Sequence, residues 1–70
     1  MVEFNIKNPQ IYTISIYNLY GQQVEIISQK HYSKGNHSLE WKPVNQASGI
    51  YFLQISSKTI STQSKLIFLK

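Results

Sequence analysis

Gly49-Ile50-Tyr51-Phe52-Leu53-Gln54-Ile55, led in by Ala47-Ser48, is the densest apolar run in the chain and decides its fold class. Its β-branched and aromatic side chains suit a pleated surface, and its length suits a strand better than a helix. A run this apolar needs cover on both faces, which predicts a central strand in a small β-domain. The rest of the chain must supply its neighbours.

Working outward, strand-like segments recur on both sides. Val2 to Lys7 alternates Val2, Phe4 and Ile6 with Glu3, Asn5 and Lys7, and Asn8-Pro9 ends it because proline removes a ladder donor. Gln10 to Asn18 places Tyr12, Ile14 and Ile16 on one face and Thr13, Ser15 and Tyr17 on the other. Leu19-Tyr20-Gly21-Gln22 reads as a turn, with Gly21 free to take a positive φ. Gln23 to Gln29 follows, with Val24 and Ile26 in phase and Ile27 out of phase, so the strand either bulges or ends there. Gly35-Asn36 marks the next turn, and His37 to Lys42 alternates His37, Leu39 and Trp41 with Ser38, Glu40 and Lys42 before Pro43 stops it. After the central run, Ser56-Ser57-Lys58 turns the chain into a last strand from Thr59 to Lys70.

Six or seven short strands with closely spaced turn signals and a single alanine predict an all-β, antiparallel sandwich of the Ig-like kind. The connections are too short for crossover helices. Seventy residues make one domain, and a chain of this size buries only about 60% of the surface its unfolded form exposes. Tyr12, Tyr51, Phe52 and Trp41 are expected in the core, while Tyr17, Tyr20 and Tyr32 are candidates for the surface.

Composition excludes most chemistry. With no cysteine there is no disulfide framework, thiol nucleophile or thiolate metal site. A Ser-His-acid triad wants an aspartate or a well-placed glutamate, yet aspartate is absent and Glu3, Glu25 and Glu40 all fall at outward phases. His31 and His37 stand six apart, a spacing that matches no compact metal-ligand pattern, and Gly21, Gly35 and Gly49 are spaced too widely for a phosphate loop. Neither catalysis, a cofactor nor a metal is expected. The formal charge of +4 comes from seven lysines against three glutamates, with no arginine. Those lysines are scattered along the sequence, so no nucleic-acid partner is expected. No apolar run approaches the roughly 18 residues of a membrane span, so membrane insertion is not expected either.

The order of the segments resembles one family. Ile14-Ser15-Ile16-Tyr17-Asn18-Leu19-Tyr20-Gly21-Gln22-Gln23-Val24 is similar to the strand, turn and strand that opens the C-terminal sorting domain of the type IX secretion system of Bacteroidetes (the Por secretion tail, type A). Gly35-Asn36-His37-Ser38-Leu39-Glu40-Trp41 resembles its glycine-led strand ending in tryptophan, although Lys42 stands where the family often has aspartate. Ser48-Gly49-Ile50-Tyr51-Phe52-Leu53 and the closing Lys65-Leu66-Ile67-Phe68-Leu69-Lys70 complete the set in order.

The resemblance implies an Ig-like domain at the end of a secreted precursor, with residues 1–70 a single sorting domain excised from it. Its partners would be an N-terminal cargo in cis, the type IX machinery and a sortase-like peptidase that removes the domain. The cargo would pass through the periplasm to the cell surface or the medium. The export signal is carried over to Lys65, Leu66, Ile67, Phe68, Leu69 and Lys70, and Gly21, Gly35, Trp41, Gly49 and Tyr51 are the structural motif residues. An exposed last strand would also permit strand-mediated self-association. Two other readings compete. One is a structural Ig-like module of the flagellar hook-cap kind or attached to a secreted enzyme; the other is a carbohydrate-binding module using Trp41 and exposed tyrosines.

Overall fold

The computed structural model describes residues 2–43 and 46–69. Six strands follow one another: β1 (Val2–Ile6), β2 (Gln10–Tyr17), β3 (Gln23–Tyr32), β4 (Gly35–Leu39), β5 (Gly49–Ser56) and β6 (Ser61–Phe68). They form two antiparallel sheets packed as a small sandwich, β1-β4 against β3-β2-β5-β6. The pattern of period two explains the layering. Tyr12, Ile14 and Ile16 of β2, with Tyr51 and Leu53 of β5, turn their buried side chains toward Val2 and Ile6 of β1. Ile14 and Ile16 are 0% exposed, because β2 is an inner strand flanked by β3 and β5 and its inner face lies under the second sheet.

The central run does form an inner strand, lying between β2 and β6. Only one of its faces is covered, however. Tyr51 and Leu53 are buried, whereas Ile50 and Phe52 are half-buried on the outer face, so Phe52 is not a core residue. Phe52 stands in register between Tyr17 and Lys65, and the neighbouring strands shield its flanks without a third layer above it.

Tyr32 corrects a second expectation. It is 3% exposed, since β3 runs three residues beyond the predicted end at Gln29 and pairs Tyr32 with Gln10. Its ring meets Phe4 edge-on at 5.4 Å and His37 at 5.0 Å, and its hydroxyl is hydrogen-bonded to that of Ser28. Tyr17 is half-buried and Tyr20 is exposed. Ile27 proves to be a bulge: Ile14 faces Ser28 and Ser15 faces Ile26, leaving Ile27 as the extra residue. Ile26, opposite Ser15, faces out, and a second register shift leaves Val24 as an extra residue between Glu25, opposite Ile16, and Gln23, opposite Tyr17; Val24 and Ile27 both pack against the core.

Two strand ends also shift. β4 spans Gly35–Leu39 instead of His37 to Lys42, and its described ladder with β1 runs from Gly35 opposite Ile6 to Leu39 opposite Val2. Trp41 lies beyond the strand. β6 begins at Ser61 because Ser56 closes the ladder there, while Thr59 and Ile60 belong to the turn that Ser57 stitches with its N–H to the Ile60 carbonyl at 2.7 Å.

The β2–β3 turn is built by Asn18, whose side-chain oxygen accepts from the backbone N–H of Tyr20 at 2.9 Å and of Gln22 at 3.0 Å. Gly21 sits at φ 79°, and an added Cβ would meet nothing within 4 Å. The cost of Gly21→Ala is therefore that of the left-handed backbone alone, about 1 kcal/mol. A thermal melt should show a fall of roughly 4–8 °C for a domain of this size.

Candidate functional site

The candidate site is the C-terminal half of β6, where the family resemblance places the expected export signal. β5 is its sole pairing partner among the described residues, which leaves its other backbone edge facing outward at the border of the four-stranded sheet. Register with β5 sorts its side chains. Leu66 opposite Tyr51 and Phe68 opposite Gly49 face the core and are half-buried. Lys65 opposite Phe52 and Ile67 opposite Ile50 point to the outer face and are exposed. Ile67 is 61% exposed and Leu69, just past the strand, 80%. Lys70 lies outside the described residues. An edge strand with apolar outward positions is a template for another strand, and lysine on such an edge limits unselective pairing.

The inner side of β6 is anchored by an aromatic group. Trp41 lies 5.3 Å from Tyr51 and 5.6 Å from Phe68, centroid to centroid, and its indole N–H donates to Glu25 at 3.3 Å. This ring is half-buried against the core, as expected for a packing residue, and is committed to its neighbours where a sugar platform would need an open face. Tyr51 is buried and donates its phenolic hydrogen to the Ala47 carbonyl at 2.6 Å. Tyr12 does the same to the Asn8 carbonyl at 2.7 Å. Each buried phenol thus bonds back to the connection four residues upstream, as in the tyrosine corner of Ig-like sandwiches. These two bonds leave no periodic trace in the sequence; the only signal is a tyrosine near the start of a strand after a Pro- or Gly-containing connection.

The remaining motif residues occupy strand and turn ends: Gly21 in the β2–β3 turn, Gly35 opening β4 opposite Ile6, and Gly49 opening β5 opposite Phe68. The two histidines are not brought together as a ligand set. His31 is exposed on β3, and His37 stacks on Phe4 at 5.7 Å while its Nε2–H donates to the Ser33 carbonyl at 2.8 Å. Its partners are Phe4 and Tyr32, in place of the Leu39 and Trp41 neighbourhood that alternation alone implies. Among the described residues, no group of three or more His, Cys, Asp or Glu is placed to hold a metal.

The geometry defines a small Ig-like β-sandwich whose last strand forms an open sheet edge. The family model for the secretion system C-terminal sorting domain matches residues 1–69, and the chain belongs to that family, the sorting domains of type IX secretion. The family's role is that of a sorting signal for an attached cargo bound for the cell surface or the exterior. No curated protein matches the chain.

Proposed function

We propose that residues 1–70 form one sorting domain of a larger secreted precursor, and that the machinery recognises the segment from Lys65 to Lys70. The observation that carries this reading is the coincidence of the family match with an open β6 edge whose outward side chains, Ile67 and Leu69, are exposed. Capture would proceed by β-augmentation: the partner's strand takes the free N–H and C=O groups of β6, and its side chains meet Lys65 and Ile67. The domain acts as substrate and ligand of this machinery, without chemistry of its own. A sortase-like peptidase then removes it after passage from the periplasm.

The test is a periplasmic reporter fused to residues 1–70, with and without Lys65 to Lys70. Surface appearance of the full fusion and periplasmic retention of the truncated one support the reading; equal surface delivery of both overturns it. Pairing of β6 between two copies uses the same edge, and would be read as a concentration-dependent increase in mass by light scattering.

A further inference from the structure

The lysines are scattered in sequence but not in space. Three connections meet at one end of the sandwich: 7–9 between β1 and β2, 33–34 between β3 and β4, and 57–60 between β5 and β6. Each carries one exposed lysine, Lys7, Lys34 and Lys58 respectively, and none carries a carboxylate. The ladder from Val2↔Leu39 to Ile6↔Gly35 brings Lys7 and Lys34 to adjoining positions beyond its end. Lys30 joins them from β3, its ammonium 5.1 Å over the Tyr32 ring. The other three lysines of the chain are equal in number to its three glutamates, so these four account for the whole formal charge of +4.

The carboxylates lie away from this end. Glu25 is opposite Ile16, and Glu40 follows Leu39 at the far end, where it pairs with Lys42 at 3.6 Å. Glu3 stands opposite Ser38 on β1, four residues before Lys7 and so about 13 Å along the strand.

The basic end is held in shape. Gln10 donates to the Thr59 hydroxyl at 3.0 Å, tying the 57–60 connection to β2, and Tyr12 holds the 7–9 connection through Asn8. Beside the lysines a cleft of about 320 Å³ opens between the sheets, its apolar side formed by Ile6, Tyr12, Ile55 and Ile60 and its polar side by as many residues, Lys7 and Asn8 among them. Ile60 and Ile11 are exposed apolar side chains at this same end.

We infer that this end docks onto an anionic lipid surface, with the lysines on headgroup phosphates and the Ile60-lined cleft receiving apolar lipid. Lysine is a compact point charge suited to a diffuse anionic field, whereas reading phosphate or base edges by a bidentate fork requires arginine, which the chain lacks. An apolar recess next to cations matches an amphiphile; a sulfated or phosphorylated polysaccharide has nothing apolar to place in it. The inference stands on the charge distribution and the cleft, and does not depend on β6 being the export signal.

The experiment is co-sedimentation of the 70-residue chain with phosphatidylcholine vesicles, with and without phosphatidylglycerol. The chain should bind the anionic vesicles at low salt, be released at high salt, and ignore pure phosphatidylcholine. Lys7→Gln/Lys34→Gln/Lys58→Gln should weaken partitioning about fivefold per lysine, roughly a hundredfold in all. Lys42→Gln/Lys65→Gln, away from this end, should leave it within about twofold of wild type if each lysine's effect falls off within a Debye length of the surface. Equal binding to both vesicle types, or an equal per-lysine loss in the two variants, overturns the proposal. So does binding to soluble heparin or inorganic phosphate by a chain that never sediments with vesicles.

Discussion

Ile14→Ala should bring this domain to the edge of unfolding. Ile14 is fully buried at the middle of β2, with Ser28 on one flank and Ile55 on the other. Truncation of a buried isoleucine to alanine costs about 2–5 kcal/mol, with the higher values where the surroundings cannot collapse. Hydrogen-bonded ladders on both sides of β2 restrain such collapse here. At about 0.05–0.15 kcal/mol per residue, a chain of this length has roughly 4–10 kcal/mol in total. At the centre of both ranges, one side chain thus accounts for about half of the stability. Urea denaturation followed by Trp41 fluorescence should show the midpoint falling by about half or more with the slope unchanged; a shift under a tenth would mean that the core repacks freely around the site.

The exposed face of the same strand makes the contrast. Thr13 and Tyr17 are half-buried on the outer side, and substitutions there should stay within about 0.5–1 kcal/mol. The difference follows from period two alone, and this part of the fold is legible in the residues. Alternation in β1 and β2 places Val2, Ile6, Tyr12, Ile14 and Ile16 inward without any knowledge of the partner sheet. What alternation cannot supply is the extent of a ladder, because that depends on the partner strand. Tyr32 is buried because β3 continues far enough to face Gln10, and Trp41 falls outside β4, which ends at Leu39 opposite Val2. Ile27 breaks the pattern for a local reason, a bulge that inserts one residue and reverses the phase on either side of it. The basic end is illegible for a different reason. Lys7, Lys34 and Lys58 are 27 and 24 residues apart in sequence, and only topology makes their connections neighbours. The candidate signal strand was legible through the family pattern, but its division into an inner and an outer side required the register with β5.

That division sets the sharper test of the export reading. Removing Lys65 to Lys70 takes away Leu66 and Phe68, stripping their cover from Tyr51 and Trp41 and leaving residues 49–52 of β5 as sheet edge. A truncated fusion that stays in the periplasm has then lost packing as well as any signal. Ile67→Ser/Leu69→Ser separates the two. Both side chains point to solvent, and the Ile67 pair with Ile50 is a cross-strand contact worth about 0.2–1 kcal/mol. The variant should melt within roughly 4–8 °C of wild type. Phe68→Ala is the converse, stripping a ring from Trp41 and Tyr51 and costing about 2–3 kcal/mol while leaving the outer side of β6 intact. If partners read the outward edge, the folded Ile67→Ser/Leu69→Ser fusion should lose surface delivery by tenfold or more, about 1.4 kcal/mol in capture free energy. Phe68→Ala should lose delivery only in proportion to its unfolded fraction. Full delivery of the double variant, measured by surface proteolysis of the reporter alongside its circular dichroism, would place recognition elsewhere than on β6.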